Sequence, residues 1–276
     1  MKFNTRRKIT DGIMYALMAL GLAGVIAALV FILVYVFSQG AGFINPALIT
    51  DPRRGILPMI VTTLYVVLVS IAIALPVGIA TAIYLHEYSG NSRLVRLLRL
   101  ATDTLAGIPS IIYGLFGLLV FSRLFGFGQS IVAGGLTLSI MILPVIIRTT
   151  EESLKSIPNS VREGSLALGA TKFQTIMHVV LPPALPGIVT AIILAVGRVI
   201  GESAPVLLTV GLARNLPRSI FESGRTLTIH LYQLTSEAIH EDDFAFAFAT
   251  AAVLIILVIL INTATKLILR RSGGKK

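Results

Sequence analysis

Apolar residues come in six long runs, near 12–37, 57–85, 104–125, 129–147, 182–210 and 244–269, separated by polar stretches. Crossing a bilayer takes ~20 helical residues at ~1.5 Å rise each, and the runs reach about that length. The run at 129–147 is the shortest, and its start is the least defined. The pattern predicts an all-α integral membrane protein with six transmembrane helices, in one domain covering 1–276. Pro76, Pro109, Pro144, Pro186 and Pro205 fall within or at the ends of these spans. Membrane helices tolerate such breaks where neighbouring helices satisfy the freed carbonyls.

Composition agrees with lipid as the main solvent. Of the 276 residues 55% are hydrophobic and 13% charged, and mean hydropathy is +0.89. A net charge of +10 would suggest nucleic-acid binding in a soluble protein. Here the basic residues sit at the ends of apolar runs, so they report orientation instead, and no nucleic-acid partner is expected. With the N-terminus inside, the inner segments hold 16 of the 23 Lys and Arg. The outer segments hold six: Arg53, Arg54, Arg123, Arg214, Arg218 and Arg225. This bias predicts both termini in the cytoplasm and places the polar loop 153–181 there too. Lys2, Arg6, Arg7 and Lys8 precede the first run, but that run is too long for a signal-peptide core, so it reads as a retained span. The absence of cysteine removes disulfides, thiolate metal sites and cysteine nucleophiles.

Arg198 is the one basic residue away from the ends of a span. A charge at a helix centre costs ~2.5–3.5 kcal/mol on insertion scales, so Arg198 and Glu202, at i and i+4, are not expected to face lipid. Arg198 lies about 21 Å along the helix from Ala184. Its planar fork suits phosphate-like oxygens, with Glu202 holding it in place. The competing reading is an assembly salt bridge with a partner helix. Arg148, just after the fourth run, reads as an inner-interface anchor with a possible cavity role. Gly107, Ser110, Gly114 and Gly117 read first as small residues that let helices approach.

The loop 153–181 is polar between very apolar neighbours, and Pro182-Pro183 open the next span. Glu163 is expected near a helix start, where an acid suits the dipole. Gly169 allows a turn between two short helices. An ordinary amphipathic connector is the bland alternative. In the outer loop 211–243, Leu227, Leu231, Leu234 and Ala238 share one helical face. The bland reading is a helix lying on the membrane, and the functional one is a docking surface for an external solute-binding protein. His86, His178, His230 and His240 show no metal spacing, and the chain has no P-loop, HExxH or nucleophile elbow. Neither catalytic residues nor a metal site is expected.

The segment EGSLALGATKFQTIMHVVLP, Glu163 to Pro182, resembles the EAA-type loop of ABC-importer permeases, with Gly164-Ser165 where Ala-Ala is usual. Together with LPVGIATAIYLHEYS, LAGIPSIIYGLFGL, the RTTEE segment and GRVIGESAP, the chain resembles the PstA-type permease of the bacterial phosphate ABC importer over roughly 55–265. The resemblance implies the type I ABC importer (MetI-like) permease fold in the bacterial cytoplasmic membrane. It implies a heterodimer with a PstC-type permease, a PstB-type ATPase dimer that binds the ATP and Mg, and a PstS-type phosphate-binding protein outside. No cofactor is expected in this chain. Glu163, Gly164, Ser165, Leu168, Gly169 and Ala170 would form the ATPase coupling loop, and Arg198, Glu202 and Arg148 the substrate pathway. A permease of the same class for another oxyanion or a phosphonate is the nearest alternative. An ion-coupled secondary transporter is a remote one, because it predicts intramembrane acids on several helices and an inverted repeat.

Overall fold

The computed structural model describes residues 2–51, 54–89, 93–238 and 241–273. Arg53, Lys275, Lys276 and His240 therefore lie outside the described residues. The described residues form helices and connecting turns, with no strand among them.

The chain opens with α1 (Lys2–Gly40) and a short α2 (Pro46–Thr50), capped by the Asn45 side chain. Next come α3 (Leu57–Ile83), α4 (Arg93–Gly107), α5 (Ser110–Gly117) and α6 (Ile131–Lys155). The polar segment that follows holds α7 (Asn159–Ala167) and α8 (Lys172–Thr175), and then come α9 (Leu181–Gly201), α10 (Ala204–Thr209), α11 (Leu227–Glu237) and α12 (Glu241–Gly273).

Five helical stretches are long and apolar enough to cross a membrane: Asp11–Phe43, Leu57–Tyr88, Ile131–Lys155, Lys172–Gly201 and Asp243–Leu267. A bent pair, Val95–Gly107 and Ser110–Leu124, has the same length and composition when taken together, and its two parts meet at 103°. This multi-pass, all-α architecture is the one the apolar runs require. Three boundaries differ from the hydropathy pattern. The third run, 104–125, bends at Ile108-Pro109, because Pro109 lacks an N–H and pushes Ile108 out of helical backbone. Tyr113 Oη staples the bend by donating to the Leu105 carbonyl at 2.7 Å. The fourth helix starts at Ile131, where the Ser130 hydroxyl accepts from the Ala133 N–H, and continues past 147 to Lys155. The fifth run stops being helical at Glu202.

The core lies where α3, α6 and α9 meet. Leu138, Met141, Ile142 and Ile146 of α6 are fully enclosed by apolar side chains of α3 and α9. Helices α6 and α9 run antiparallel, and Ser153 Oγ donates to the Ala184 carbonyl at 2.8 Å near one end. By contrast α1 lies at the periphery along α12, where the Tyr35 and Phe248 rings meet edge-on at 5.5 Å. Its side chains from 11 to 34 are exposed, as expected for a helix solvated by lipid.

Helix α11 is held against the ends of α3 and α9 rather than standing apart as a surface helix. The Leu227 N–H donates to Thr63 Oγ1 of α3 at 3.0 Å, and Thr228 Oγ1 donates to the Ile200 carbonyl of α9 at 2.6 Å. Leu227, Ile229 and His230 are buried.

Candidate functional site

The charged pair of the fifth span sits where the helix fails. Helix α9 ends at Gly201, and Glu202 adopts extended backbone (φ −76°, ψ 131°) before α10 begins at Ala204-Pro205. Ending a helix at membrane depth frees its last carbonyls, which need other donors. Thr228 supplies one of these to Ile200. Arg198 Nε lies 3.6 Å from Glu202 Oε1, with the side chains 35% and 17% exposed. Among the described residues Glu202 is the only acid within 4 Å of Arg198. That long, single contact leaves most of the guanidinium fork uncommitted to the carboxylate.

The break is packed against α5. A Cβ built on Gly114 would lie 2.8 Å from Pro205 Cα and 3.3 Å from the Ala204 carbonyl oxygen. Gly114 thus reads as a contact point for α10, an assignment its small-residue spacing alone did not make.

Arg148 is not brought together with Arg198 and Glu202. Measured from the Ser153–Ala184 contact, Arg198 lies roughly 13–14 Å farther along the bundle than Arg148. Arg148 pairs instead with Asp103 of α4. Beside it Arg99 Nη2 meets Glu151 Oε1 at 2.9 Å, and Lys155 approaches the same oxygen at 3.7 Å. With Glu152 these side chains line a polar cavity of about 360 Å³. The α4–α5 bend is what brings Arg99 and Asp103 to α6, so linear spacing gave no sign of the cluster.

The loop 153–181 forms a helical hairpin. Pro158 precedes α7, so the helix starts at Asn159 and Glu163 lies one turn inside it rather than at its start. Glu163 and Gly164 are on its exposed side. Leu168, Gly169 and Ala170 make the turn: the Gly169 N–H donates to the Leu166 carbonyl at 3.0 Å and the Ala170 N–H to that of Ser165 at 3.3 Å. Gly169 has φ +86°, a left-handed conformation that costs other residues a Cβ clash. Thr171 and Gln174 form a reciprocal capping box on α8. Ser165 Oγ and Thr175 Oγ1 lie 2.9 Å apart and tie the two arms. At the apex Leu168 is 91% exposed, and Phe173 and Leu166 are also exposed. The hairpin is compact and cross-braced, and its turn leaves a leucine uncovered.

One residue of this loop carries more than the charge count that first marked it. Arg162 reaches Glu87 at the end of the second span, with Nη2–Oε1 at 2.9 Å. No group of three or more metal-ligating side chains occurs among the described residues.

The family described as "Binding-protein-dependent transport system inner membrane component" matches residues 74–273. The chain belongs to this family. It is accordingly a transport component rather than an enzyme. The Bacillus subtilis protein named "Probable ABC transporter permease protein YqgI" is 33% identical over 260 residues, 87% of this chain and 88% of the relative. The Mycobacterium tuberculosis protein named "Phosphate transport system permease protein PstA 1" is 40% identical over 181 residues. That match covers 62% of this chain and 58% of the mycobacterial protein, so less than two thirds of the relative's length is spanned. Among solved structures, a chain of the MetNI methionine ABC transporter in an inward-facing conformation aligns with TM-score 0.62 at 27% identity. It covers 79% of this chain and 94% of that one, and it identifies the fold as that of MetI-like importer permeases.

Proposed function

We propose that this chain is the PstA-type membrane subunit of an ATP-driven importer of inorganic phosphate. The observation that carries the substrate class is Arg198, a guanidinium half-open beside one carboxylate at a break in a membrane helix. Irregular backbone at membrane depth is tolerated where it lines a cavity, and such breaks recur at the substrate sites of transporters. The names of the mycobacterial and mycoplasmal relatives support phosphate over other oxyanions.

In this reading a PstC-type permease completes the pathway, a PstS-type protein delivers phosphate from outside, and a PstB-type ATPase dimer holds the nucleotide and Mg. Both termini face the cytoplasm, in keeping with the charge bias along the chain. Glu163, Gly164, Ser165, Leu168, Gly169 and Ala170 dock on the ATPase through the uncovered hairpin. ATP-driven closure of the ATPase moves the hairpin, and the helices rock about the pathway. Phosphate released from outside meets Arg198 first and the cavity around Arg148 on its way in. This chain supplies charge and alternating access, with no covalent step.

The test is uptake of radiolabelled phosphate by the four-component complex in proteoliposomes, with ATP inside or omitted. ATP-dependent uptake that excess phosphate suppresses, and that sulfate, molybdate or methylphosphonate leaves intact, supports the reading. Stronger suppression by one of those three ions reassigns the substrate.

A further inference from the structure

Among the described residues, the most heavily bonded ionic contact lies between the α7–α8 hairpin and the second span. The last turn of that span is widened, with the Ser89 N–H donating to the Tyr84 carbonyl at 3.0 Å, five residues back. Such turns recur at functional positions. Here it presents Glu87 and Tyr88 toward the hairpin.

Glu87 and Arg162 are almost enclosed, at 7% and 12% side-chain exposure. Arg162 donates through Nε and Nη2 to Glu87 Oε1 at 3.1 and 2.9 Å. Its Nη1 also donates to the Ile157 carbonyl at 2.7 Å, and its Nη2 to that of Leu154 at 2.9 Å. Those two carbonyls lie in the last turn of α6 and just past its end, where helical partners run out. His86 Nδ1 lies 3.0 Å from the same Glu87 oxygen. One guanidinium thus joins α7 to the ends of both α3 and α6. A second contact repeats the connection, with Lys172 Nζ at 5.1 Å from the Tyr88 ring centroid.

We propose that Glu87 and Arg162 are positioning residues that clamp the hairpin to the second span, so that movement imposed on the hairpin reaches α3 directly. The proposal rests on reading the hairpin as the ATPase coupling loop. Burying a charge pair gives little net stability, because desolvation offsets the attraction. The planar fork fixes distance and angle together, which an apolar contact at the same place would not. Without the clamp, the hairpin is joined to the bundle through its covalent ends and looser packing. The ATPase would then turn over while the pathway followed poorly.

The experiment measures phosphate uptake and ATP hydrolysis in the same proteoliposomes, with co-purification of the ATPase as the docking control. Glu87→Gln keeps the shape and removes the charge, and Glu87→Asp keeps the charge. We expect Glu87→Gln to lower uptake per ATP about tenfold with the ATPase still bound, and Glu87→Asp to recover to within about threefold of the unaltered complex. Uptake per ATP unchanged in Glu87→Gln, or Glu87→Asp as defective as Glu87→Gln, overturns the clamp. If Glu87→Gln does not accumulate in the membrane, Lys172→Gln at the exposed second contact decides. A fall of about threefold supports the clamp, and no change overturns it. Leu168→Glu tests docking by itself: retained co-purification overturns the coupling-loop reading whatever the Glu87 variants do.

Discussion

Gly114 and Pro205 cross so closely that a side chain at 114 has nowhere to go. The Cβ of an alanine there would sit 2.8 Å from Pro205 Cα, and backbone cannot swing aside as a flexible side chain would. The bent third crossing therefore fixes where the broken fifth crossing lies, and with it the stretch that holds Arg198 and Glu202. We expect Gly114→Ala to cost about 1–3 kcal/mol, the usual range for overpacking, and Gly114→Leu more. Thermal unfolding of the purified permease in detergent checks this, and an unchanged Tm for Gly114→Leu would show that the two helices are not in contact.

At the break itself, Arg198→Gln should abolish phosphate uptake while the permease still assembles with its partners. The contact to Glu202 is too long and too open to be a main source of stability. Arg198→Lys keeps the charge but not the fork, and should retain a small fraction of activity. Glu202→Gln should be milder than Arg198→Gln, because its role is to orient the arginine. Wild-type uptake by Arg198→Gln would end the anion-ligand role.

How much of this was legible beforehand follows from the range of each interaction. Hydropathy is a property of contiguous residues, so the crossings could be read from the chain. So could the apex of the inner hairpin, where Gly169 announces its own turn. Contacts set by a bend could not. Arg99 and Asp103 reach α6 because the chain turns 103° at Pro109, and a proline in a membrane run gives no angle. Arg162 counted as one inner positive charge among many, since its partner Glu87 is 75 residues away. The closeness of Gly114 to Pro205 was hidden for the same reason. Small residues announce that something approaches and leave the partner unstated.

The inner hairpin should tolerate polar changes on its flanks and fail at its turn. Gly169→Val places a β-branched residue at φ +86°, which costs about 1–2 kcal/mol locally. The span helices do not depend on that turn, so the Tm should barely move while co-purification of the ATPase falls steeply. A variant that binds the ATPase normally would count against the apex as the docking point.

The polar cavity between α4 and α6 separates exposed from buried charge. Arg148 and Asp103 are each about half-exposed or more, so losing their pairing should cost at most ~1 kcal/mol. Glu151 is nearly buried between Arg99 and Lys155, and Glu151→Ala should cost more, because two cations lose their shared carboxylate. If phosphate passes this cavity, Arg148→Gln should raise the KM for uptake a few-fold with stability intact, since it removes binding and little else. Equal KM values would take Arg148 out of the pathway.

His230 on α11 gives the protein a dependence on pH whose direction can be worked out. It is buried, neither ring nitrogen has a hydrogen-bond partner, and its pKa is lowered to about 4, first by burial and then by the charges of Arg214 and Arg225. In the unfolded chain the imidazole takes up its proton as pH falls through its ordinary value near 6.5. In the folded chain it stays neutral until about 4, so protons favour the unfolded state between those values. Stability contributed by neutral His230 is intact above pH 6.5, declines from there to about 4, and levels off below. At ~1.4 kcal/mol per pKa unit the full loss is about 3 kcal/mol. His230→Leu cannot take up that proton, so its Tm should fall less than that of the unaltered protein between pH 7 and 4.5. Parallel slopes in the two proteins would mean that His230 is protonated, or accessible, in the native state.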